Sequence, residues 1–213
     1  PKHRKIPGGV DIDRFKPAED KMAVRRELSL PEDKIILLTV RRLATRMGLE
    51  NLIQAMAIVE KERADVMLLI GGQGEIKEKL QQLIRDLGLQ RTTMTGYIAY
   101  DKLPKYYQAS DLFVMPSITL EGFGLSTVEA LACGVPVVGT STGGTPEILN
   151  EVLPDFIFAN TEPQTIAEGI LGLLDSVRGE GIKTKVREYA ENHSWKNITD
   201  SFESLFQEVA AVQ

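Results

Sequence analysis

The sequence predicts an α/β fold built around a parallel, doubly wound, Rossmann-like sheet with helices on both faces. The first observation is alternation, because short apolar runs and amphipathic segments follow one another from residue 35 onward. The second is the run Ile35–Val40, which is almost wholly apolar, as expected of a strand covered on both faces. The third is that glycine-rich turns follow several runs, at the strand ends where such sheets bind ligands.

The individual elements are predicted from these runs and from the turn residues between them. Strands are expected at residues 35–40, 66–70, 93–96, 111–116, 136–140 and 155–159. Helices are expected at about 18–28, 49–63, 76–87, 125–132, 163–177, 183–192 and 195–212, with another inside 97–108. Asp101 is placed to cap the helix inside 97–108. Residues 142–147 are interpreted as a turn.

The composition excludes several classes of protein. The 213-residue chain is 43% hydrophobic and 26% charged, which is ordinary for a globular protein. A net charge of −5 argues against a nucleic-acid partner. The single cysteine, Cys133, rules out an internal disulfide and is typical of a reducing, cytoplasmic compartment. No apolar run approaches the roughly 20 residues needed to cross a bilayer.

Two regions of the chain differ in character. Residues 1–17 are rich in proline, glycine and basic side chains, which predicts an irregular inter-domain linker. Residues 18–213 carry the alternating strands and helices and are interpreted as one domain. Because the chain starts at Pro1, directly in the linker, we expect it to be part of a longer protein.

The stretch from Glu121 to Glu129 is the strongest candidate site. It joins the fourth predicted strand to a helix, with two glycines at the turn and a carboxylate at each end. The glycines let the backbone approach a ligand closely, and the first helical N–H groups point at an anion. The backbone positions concerned are Gly122, Phe123, Gly124, Leu125 and Ser126. Because carboxylates accept hydrogen bonds from hydroxyls, the pattern suits a nucleotide sugar; the plain alternative is a turn with two solvated glutamates.

The run from Asp111 to Glu147 closely resembles the retaining family-4 glycosyltransferases (glycosyl transferases group 1) of the GT-B fold. The matching segments are Asp-Leu-Phe-Val-Met-Pro-Ser, Glu-Gly-Phe-Gly-Leu-Ser-Thr-Val-Glu-Ala-Leu-Ala-Cys-Gly-Val-Pro-Val-Val and Gly-Gly-Thr-Pro-Glu. The resemblance implies the donor-binding half of a two-domain enzyme. That enzyme would move a sugar from a nucleoside diphosphate to an acceptor hydroxyl with retention at the anomeric carbon. Glu121 would hold the donor-sugar hydroxyls and Glu129 the ribose.

The resemblance also implies the partners. An N-terminal domain, absent from this sequence, would bind an acceptor sugar or lipid, and any peripheral membrane association would depend on it. No metal ion or cofactor is expected, and the sequence has no Asp-x-Asp suited to holding a divalent ion on a diphosphate. Half of such a site is expected to bind donor without transferring the sugar.

Cationic side chains follow the first predicted strand, where a diphosphate would lie. The family pattern is Gly-Arg-Leu, three residues, then Lys-Gly, with the arginine and lysine on the diphosphate. Arg42 matches the arginine, whereas Met47 occupies the lysine position. We expect Arg46 to replace the lysine, because a long guanidinium can cover an offset of one residue. The plain alternative for Arg41 and Arg46 is a solubilising surface.

Two weaker candidates complete the predicted site. Gly72 belongs to a Gly-x-Gly turn after the second strand, where the family has a similar turn facing the donor. The loop from Tyr97 to Leu103 matches the region that cradles the nucleobase in the family.

Rival functions stay open at this point. Met47 leaves room for a non-catalytic nucleotide-sugar-binding module, and another GT-B-like enzyme, such as a nucleotide-sugar epimerase, is a further alternative. A dinucleotide dehydrogenase has the least support, since no complete glycine fingerprint follows the first strand.

Overall fold

A computed structural model describes residues 4–211 and has a six-stranded sheet at its centre. The strands are β1 (Ile35–Val40), β2 (Val66–Gly71), β3 (Thr92–Gly96), β4 (Leu112–Met115), β5 (Val137–Thr140) and β6 (Ile157–Phe158). Their order is β3-β2-β1-β4-β5-β6, and every neighbouring pair is parallel. The predicted doubly wound, Rossmann-like sheet is therefore confirmed.

Helices cover both faces of this sheet. Within residues 4–211 they are α1 (Lys21–Glu27), α2 (Leu49–Glu62), α3 (Lys77–Asp86), α4 (Leu103–Ala109), α5 (Leu125–Ala132), α6 (Thr145–Val152), α7 (Pro163–Leu173), α8 (Glu180–Asn192) and α9 (Trp195–Ala210). From β1 the chain adds β2 and β3 toward one edge of the sheet, and from β4 it adds β5 and β6 toward the other edge. Because crossovers between parallel strands are right-handed, these opposite directions put α2 and α5 on opposite faces. The layer of α2 includes α7, and the layer of α5 includes α8.

The core lies where the central strands meet the two helical layers. Ile36, Leu37 and Leu38 of β1 are fully buried, as is Phe113 of β4. Burial of successive residues means that both faces of β1 are covered, as its apolar sequence predicts. Cys133 is buried as a free thiol.

A buried ionic cluster ties α1 to the centre of the sheet. Arg25 has no solvent exposure, and its guanidinium donates to Asp111 Oδ2 over 2.6 Å and to the Ala109 carbonyl over 2.9 Å. Lys21 Nζ donates to the other oxygen of Asp111 over 2.8 Å. Burial alone would raise the pKa of Asp111, yet these cations hold it below its ordinary value. Thus α1 carries one fully buried charge.

The segment predicted as a linker packs onto the domain over its described part, residues 4–17. Val10 forms a parallel bridge with Ser194, and Phe15 is buried with its ring edge against Tyr107. The segment is irregular, as expected, although it begins to contribute to the core at Val10. Residues 1–3 of the predicted linker lie outside the described residues.

One local prediction is wrong and another is right only in part. Asp101 does not cap α4: the N-cap is Lys102, and no side chain caps this helix. The turn expected at 142–147 is present at Gly143–Gly144, but residues 145–152 then form the helix α6. Pro146 fits there because it lies in the first helical turn, where a missing N–H costs nothing. Within the described part of the chain, no helix is long and apolar enough to cross a membrane.

Candidate active site

The main predicted site residues follow the carboxyl ends of β1 and β4. These strands are parallel neighbours in the sheet. From β1 the chain continues to β2 and β3 on one side, and from β4 it continues to β5 and β6 on the other side. A crevice opens at such a switch point, and open α/β sheets bind their ligands there. The segment after β1 contributes the arginines, and the segment after β4 contributes the Glu121–Glu129 stretch.

Gly124 turns the chain from the β4 loop into α5. Its φ of 86° lies in the left-handed region, which favours glycine, and it is the N-cap of the helix. The N–H groups of Leu125 and Ser126 donate to no acceptor in the described part of the chain. They are therefore free to meet an anion, as the sequence predicts.

The backbone at Glu121 lies against the Gly143–Gly144 turn that follows β5. The Gly144 N–H donates to the Gly122 carbonyl over 2.9 Å. A Cβ on Gly143 would lie 2.3 Å from the Glu121 carbonyl oxygen, and the φ of Gly143 is +67°. Only glycine suits such a close approach with that backbone. Gly143 therefore sets the position of Glu121, a role that the Gly-Gly sequence alone does not reveal.

The Glu121 carboxylate is held from two sides. Its Oε2 atom accepts a hydrogen bond from the Arg41 guanidinium and one of 2.8 Å from the Ser117 hydroxyl. The Arg41 side chain is only 4% exposed, so the alternative of a solubilising surface residue does not hold for Arg41. Burial lowers the pKa of Arg41, and the charge of Glu121 opposes that shift. Sequence reasoning missed this buried pair because its members are far apart in the chain.

The other predicted arginines lie nearer the solvent. Arg42 is 70% exposed and lies 3.6 Å from Glu75, so its side chain is available to a ligand at the end of β1. Arg46 donates to the Leu120 carbonyl over 2.7 Å. Leu120 has a φ of 53°, which is strained for a branched side chain, and such strain is common in functional loops. Arg46 thus lies beside the Glu121 loop, as the hypothesis of lysine replacement requires.

Met47, at the family's lysine position, points into the core and is 9% exposed. The neighbouring Gly48 packs against the β4 loop, because a Cβ there would lie 1.7 Å from the Pro116 carbonyl oxygen. The Ile118 N–H also donates to the Arg46 carbonyl over 2.9 Å. Position 47 is therefore a packing position in this chain, and the cation beside it comes from the preceding residue.

Glu129 lies on α5, one turn into the helix, and faces α4. The hydroxyl of Tyr107 donates to its Oε2 atom over 3.0 Å. Burial raises the pKa of Glu129 to about 7, and the bond from Tyr107 offsets only part of that effect. Tyr107 is fully buried, so this hydrogen bond is made inside the domain.

The weaker candidates take different positions. Gly72 has a φ of +137°, and a Cβ there would lie 1.8 Å from the Arg41 carbonyl oxygen, so it lets β2 pack closely beside Arg41. Tyr97 is 66% exposed after β3, and Leu103 begins α4 half-buried. The ring of Phe123 lies against Gly8 of the packed linker segment.

This arrangement places charges of both signs after two neighbouring strands. Arginines stand after β1, carboxylates stand after β4, and free backbone N–H groups begin α5. In residues 4–211, no cluster of three His, Cys, Asp or Glu side chains is placed to hold a metal ion. Fold and site together define a Rossmann-like domain with charged side chains at its switch point, where open α/β sheets bind their ligands.

Comparison with known proteins identifies the family. The model described as "Glycosyl transferases group 1" matches residues 20–193, and the chain therefore belongs to this family. It is 31% identical to a GDP-mannose-dependent monoacylated alpha-(1-6)-phosphatidylinositol monomannoside mannosyltransferase of Corynebacterium glutamicum, over 97% of this chain and 56% of that protein.

Solved structures agree with this assignment. Sucrose-phosphate synthase from Thermosynechococcus elongatus is similar at a TM-score of 0.84 and 27% identity, covering 99% of this chain and 53% of that one. Anabaena HepE in complex with UDP-glucose is similar at a TM-score of 0.80 and 25% identity, covering 94% of this chain and 56% of that one. The chain spans about half the length of the curated relatives that it matches.

Proposed function

We propose that this chain is the donor-binding part of a retaining glycosyltransferase that uses a nucleoside-diphosphate sugar. Residues 18–213 would form the donor domain, and residues 1–17 would lead to it from an acceptor domain. The observation that carries the proposal is the crevice between β1 and β4, with arginines on one side and Glu121 and Glu129 on the other. Family membership supports the same reaction class.

Each group in the crevice has a proposed role. Arg42 and Arg46 meet the diphosphate, because guanidinium groups bind phosphate oxygens with paired N–H donors. The N–H groups of Leu125 and Ser126 add the positive end of α5. Glu121 accepts hydrogen bonds from the donor-sugar hydroxyls, and Glu129 accepts them from the ribose.

The proposed reaction exchanges one bond at the anomeric carbon. The bond to the diphosphate oxygen breaks, and the diphosphate leaves with the bonding electron pair. The acceptor oxygen forms its bond on the face of the carbon that the diphosphate leaves. Its hydroxyl proton passes to the departing diphosphate oxygen, which carries the bonding electron pair. Charge builds up on the departing diphosphate, so cations already in place lower the barrier by electrostatic stabilisation. Arg42 and Arg46 would supply this stabilisation.

The relatives suggest which donors to test. The Corynebacterium protein is described as GDP-mannose-dependent, and HepE was solved with UDP-glucose. The exposed loop from Tyr97 to Leu103 would cradle the nucleobase. We propose a cytoplasmic location. An acceptor sugar or lipid would bind through the other half of the protein, which would also mediate any peripheral membrane association.

Calorimetric titration tests donor binding. We expect heat of binding with at least one of UDP, GDP and ADP at millimolar concentration, and with the matching nucleotide sugar, but not with NAD. Replacing Arg42 with Gln should weaken binding of the nucleoside diphosphate. Replacing Arg85, which pairs with Gln82 on α3, should leave that binding unchanged. Absence of binding by all three diphosphates would contradict the proposal.

A transfer assay tests whether this chain alone can transfer the sugar. Incubation with radiolabelled nucleotide sugars and a panel of acceptor sugars and lipids should yield no sustained transfer by this chain. A cleft between two domains positions the acceptor, and positioning can lower a barrier by about 7–11 kcal/mol. Transfer that disappears in Glu121→Gln would show instead that these 213 residues hold a complete active site.

A further inference from the structure

Arg41 is a buried cation whose backbone is fixed by the neighbouring strand. Its N–H donates to the Gly71 carbonyl over 3.0 Å, and its own carbonyl lies where a side chain on Gly72 would be. The side chain is buried beside Glu121, with 4% of its surface exposed. Burial of a guanidinium is costly unless its donors are satisfied, so its partners have to account for its position.

Those partners link three strand ends. Arg41 follows β1 and donates to Glu121 Oε2, while Ser117, which follows β4, donates to the same atom over 2.8 Å. The Ser117 carbonyl accepts a hydrogen bond of 2.5 Å from the hydroxyl of Thr140, at the end of β5. Two donors on one oxygen restrict the rotation of the Glu121 side chain.

The second oxygen of Glu121 is left for a ligand. Among residues 4–211, both hydrogen bonds to this carboxylate go to Oε2, and none goes to Oε1. The Nη1 atom of Arg41 is also buried without a partner in that part of the chain. A carboxylate held in this way accepts a hydroxyl without losing further side-chain entropy, which is the advantage of preorganisation.

From these contacts we propose that Arg41 is a positioning residue for donor-sugar recognition: it clamps Oε2 of Glu121, with Ser117, so that Oε1 meets a sugar hydroxyl. The proposal rests on the proposed function, since it needs Glu121 to contact the sugar. It departs from the family pattern quoted above, which has glycine at this position. A purely structural Arg41 would instead affect every ligand and the stability alike.

The test separates binding of the sugar from binding of the nucleotide. Dissociation constants are measured by calorimetry for UDP and UDP-glucose and for GDP and GDP-mannose. In Arg41→Met, the nucleotide sugar should bind roughly 10-fold more weakly, the scale of one charge-assisted hydrogen bond, with affinity for the plain diphosphate within about 2-fold of wild type. Glu121→Gln should show the same selective loss, and the double variant should lose no more than the larger single loss.

Further variants keep the test decisive. Met fills much of the arginine volume, and if Arg41→Met does not fold, then Arg41→Lys and Ser117→Ala should show smaller losses of the same selective kind. The matched control is Arg63→Gln, which removes an arginine paired with Asp65 after α2 and should change none of the four dissociation constants.

The outcomes distinguish the two proposals. Equal losses for diphosphate and nucleotide sugar in the Arg41 variants, or no loss, would overturn the positioning role and leave the proposed function standing. Wild-type protein that binds neither these four ligands nor ADP would overturn the proposed function, and the positioning role with it.

Discussion

The hydroxyl of Tyr107 donates a hydrogen bond of 3.0 Å to the carboxylate of Glu129, joining α4 to α5 beneath the crevice. Tyr107 is fully buried, and its ring also meets Phe15 and Phe113 edge-on. Burial and the nearby Glu129 charge raise the pKa of Tyr107, so this hydroxyl remains a donor. The contact thus places one of the two predicted site carboxylates in a poorly solvated position.

The first prediction concerns the pH dependence of stability. The pKa of Glu129 rises from 4.5 to about 7 on folding, so its stabilising contribution is complete below pH 4.5 and is lost as the pH rises through 7. Compared with Glu129→Gln, wild type should therefore lose about 3 kcal/mol of unfolding free energy between pH 4.5 and 8. Urea unfolding at both pH values measures this difference.

The matched control for this prediction is Glu203→Gln, at an exposed position on α9. A difference between wild type and Glu129→Gln that stays constant with pH would show that Glu129 titrates like a solvated carboxylate.

The second prediction concerns the ionic cluster at Asp111. Asp111→Ala leaves Arg25 buried without its carboxylate, and it removes the acceptor of the Ile36 N–H, 2.8 Å away. We expect a loss of about 3–5 kcal/mol in unfolding free energy, as for other broken buried ion pairs. Denaturant titration measures this loss.

The control is Asp175→Ala, which removes a carboxylate that is 91% exposed and should cost less than about 1 kcal/mol of unfolding free energy. Equal losses of unfolding free energy in the two variants would show that burial is not the cause.

The third prediction concerns the turn behind Glu121. Gly143→Ala puts a methyl group where the Glu121 carbonyl lies, at a backbone conformation strained for alanine, so the Glu121 loop has to move. The nucleotide sugar should therefore bind at least about 10-fold more weakly, as a shift of a contact residue lowers affinity. Calorimetry measures this change.

Gly172→Ala is the control, since its Cβ meets nothing within 4 Å. In α7 this change should raise the unfolding free energy by about 0.5–1 kcal/mol. Unchanged affinity in Gly143→Ala would mean that the loop adapts.

The fourth prediction concerns the cation that stands in for the family's lysine. Arg46→Ala should weaken binding of a nucleoside diphosphate by about 1.5–3 kcal/mol, as for the loss of a charge-assisted hydrogen bond. The same change removes the donor to the Leu120 carbonyl, so Arg46→Lys is needed as the variant that keeps the charge. Recovery of affinity in Arg46→Lys supports direct binding of phosphate. Wild-type affinity in Arg46→Ala would leave Arg42 as the diphosphate contact after β1.

Much of the fold follows from local sequence, because periodicity and turn residues record burial directly. The bounds of β1 and α5 match the expected 35–40 and 125–132. The first is a continuous apolar run, and the second begins after Gly124 and stops at Cys133–Gly134. The helix α6 was missed because Gly-Gly-Thr-Pro is equally typical of a turn and of a helix start.

The sequence by itself determined the sheet, the switch-point location of Glu121 and Glu129, and the family, since each depends on residues close together in the chain. Only the tertiary structure decided between Arg41 and Arg42, which are identical and adjacent. Arg41 turns inward because Gly72 lets β2 pack against its backbone and because Glu121, 80 positions away, offers a carboxylate. Arg42, the next residue of the extended segment, points to the opposite side and is exposed to solvent. Such a choice depends on contacts between distant segments, and local periodicity holds no information about them.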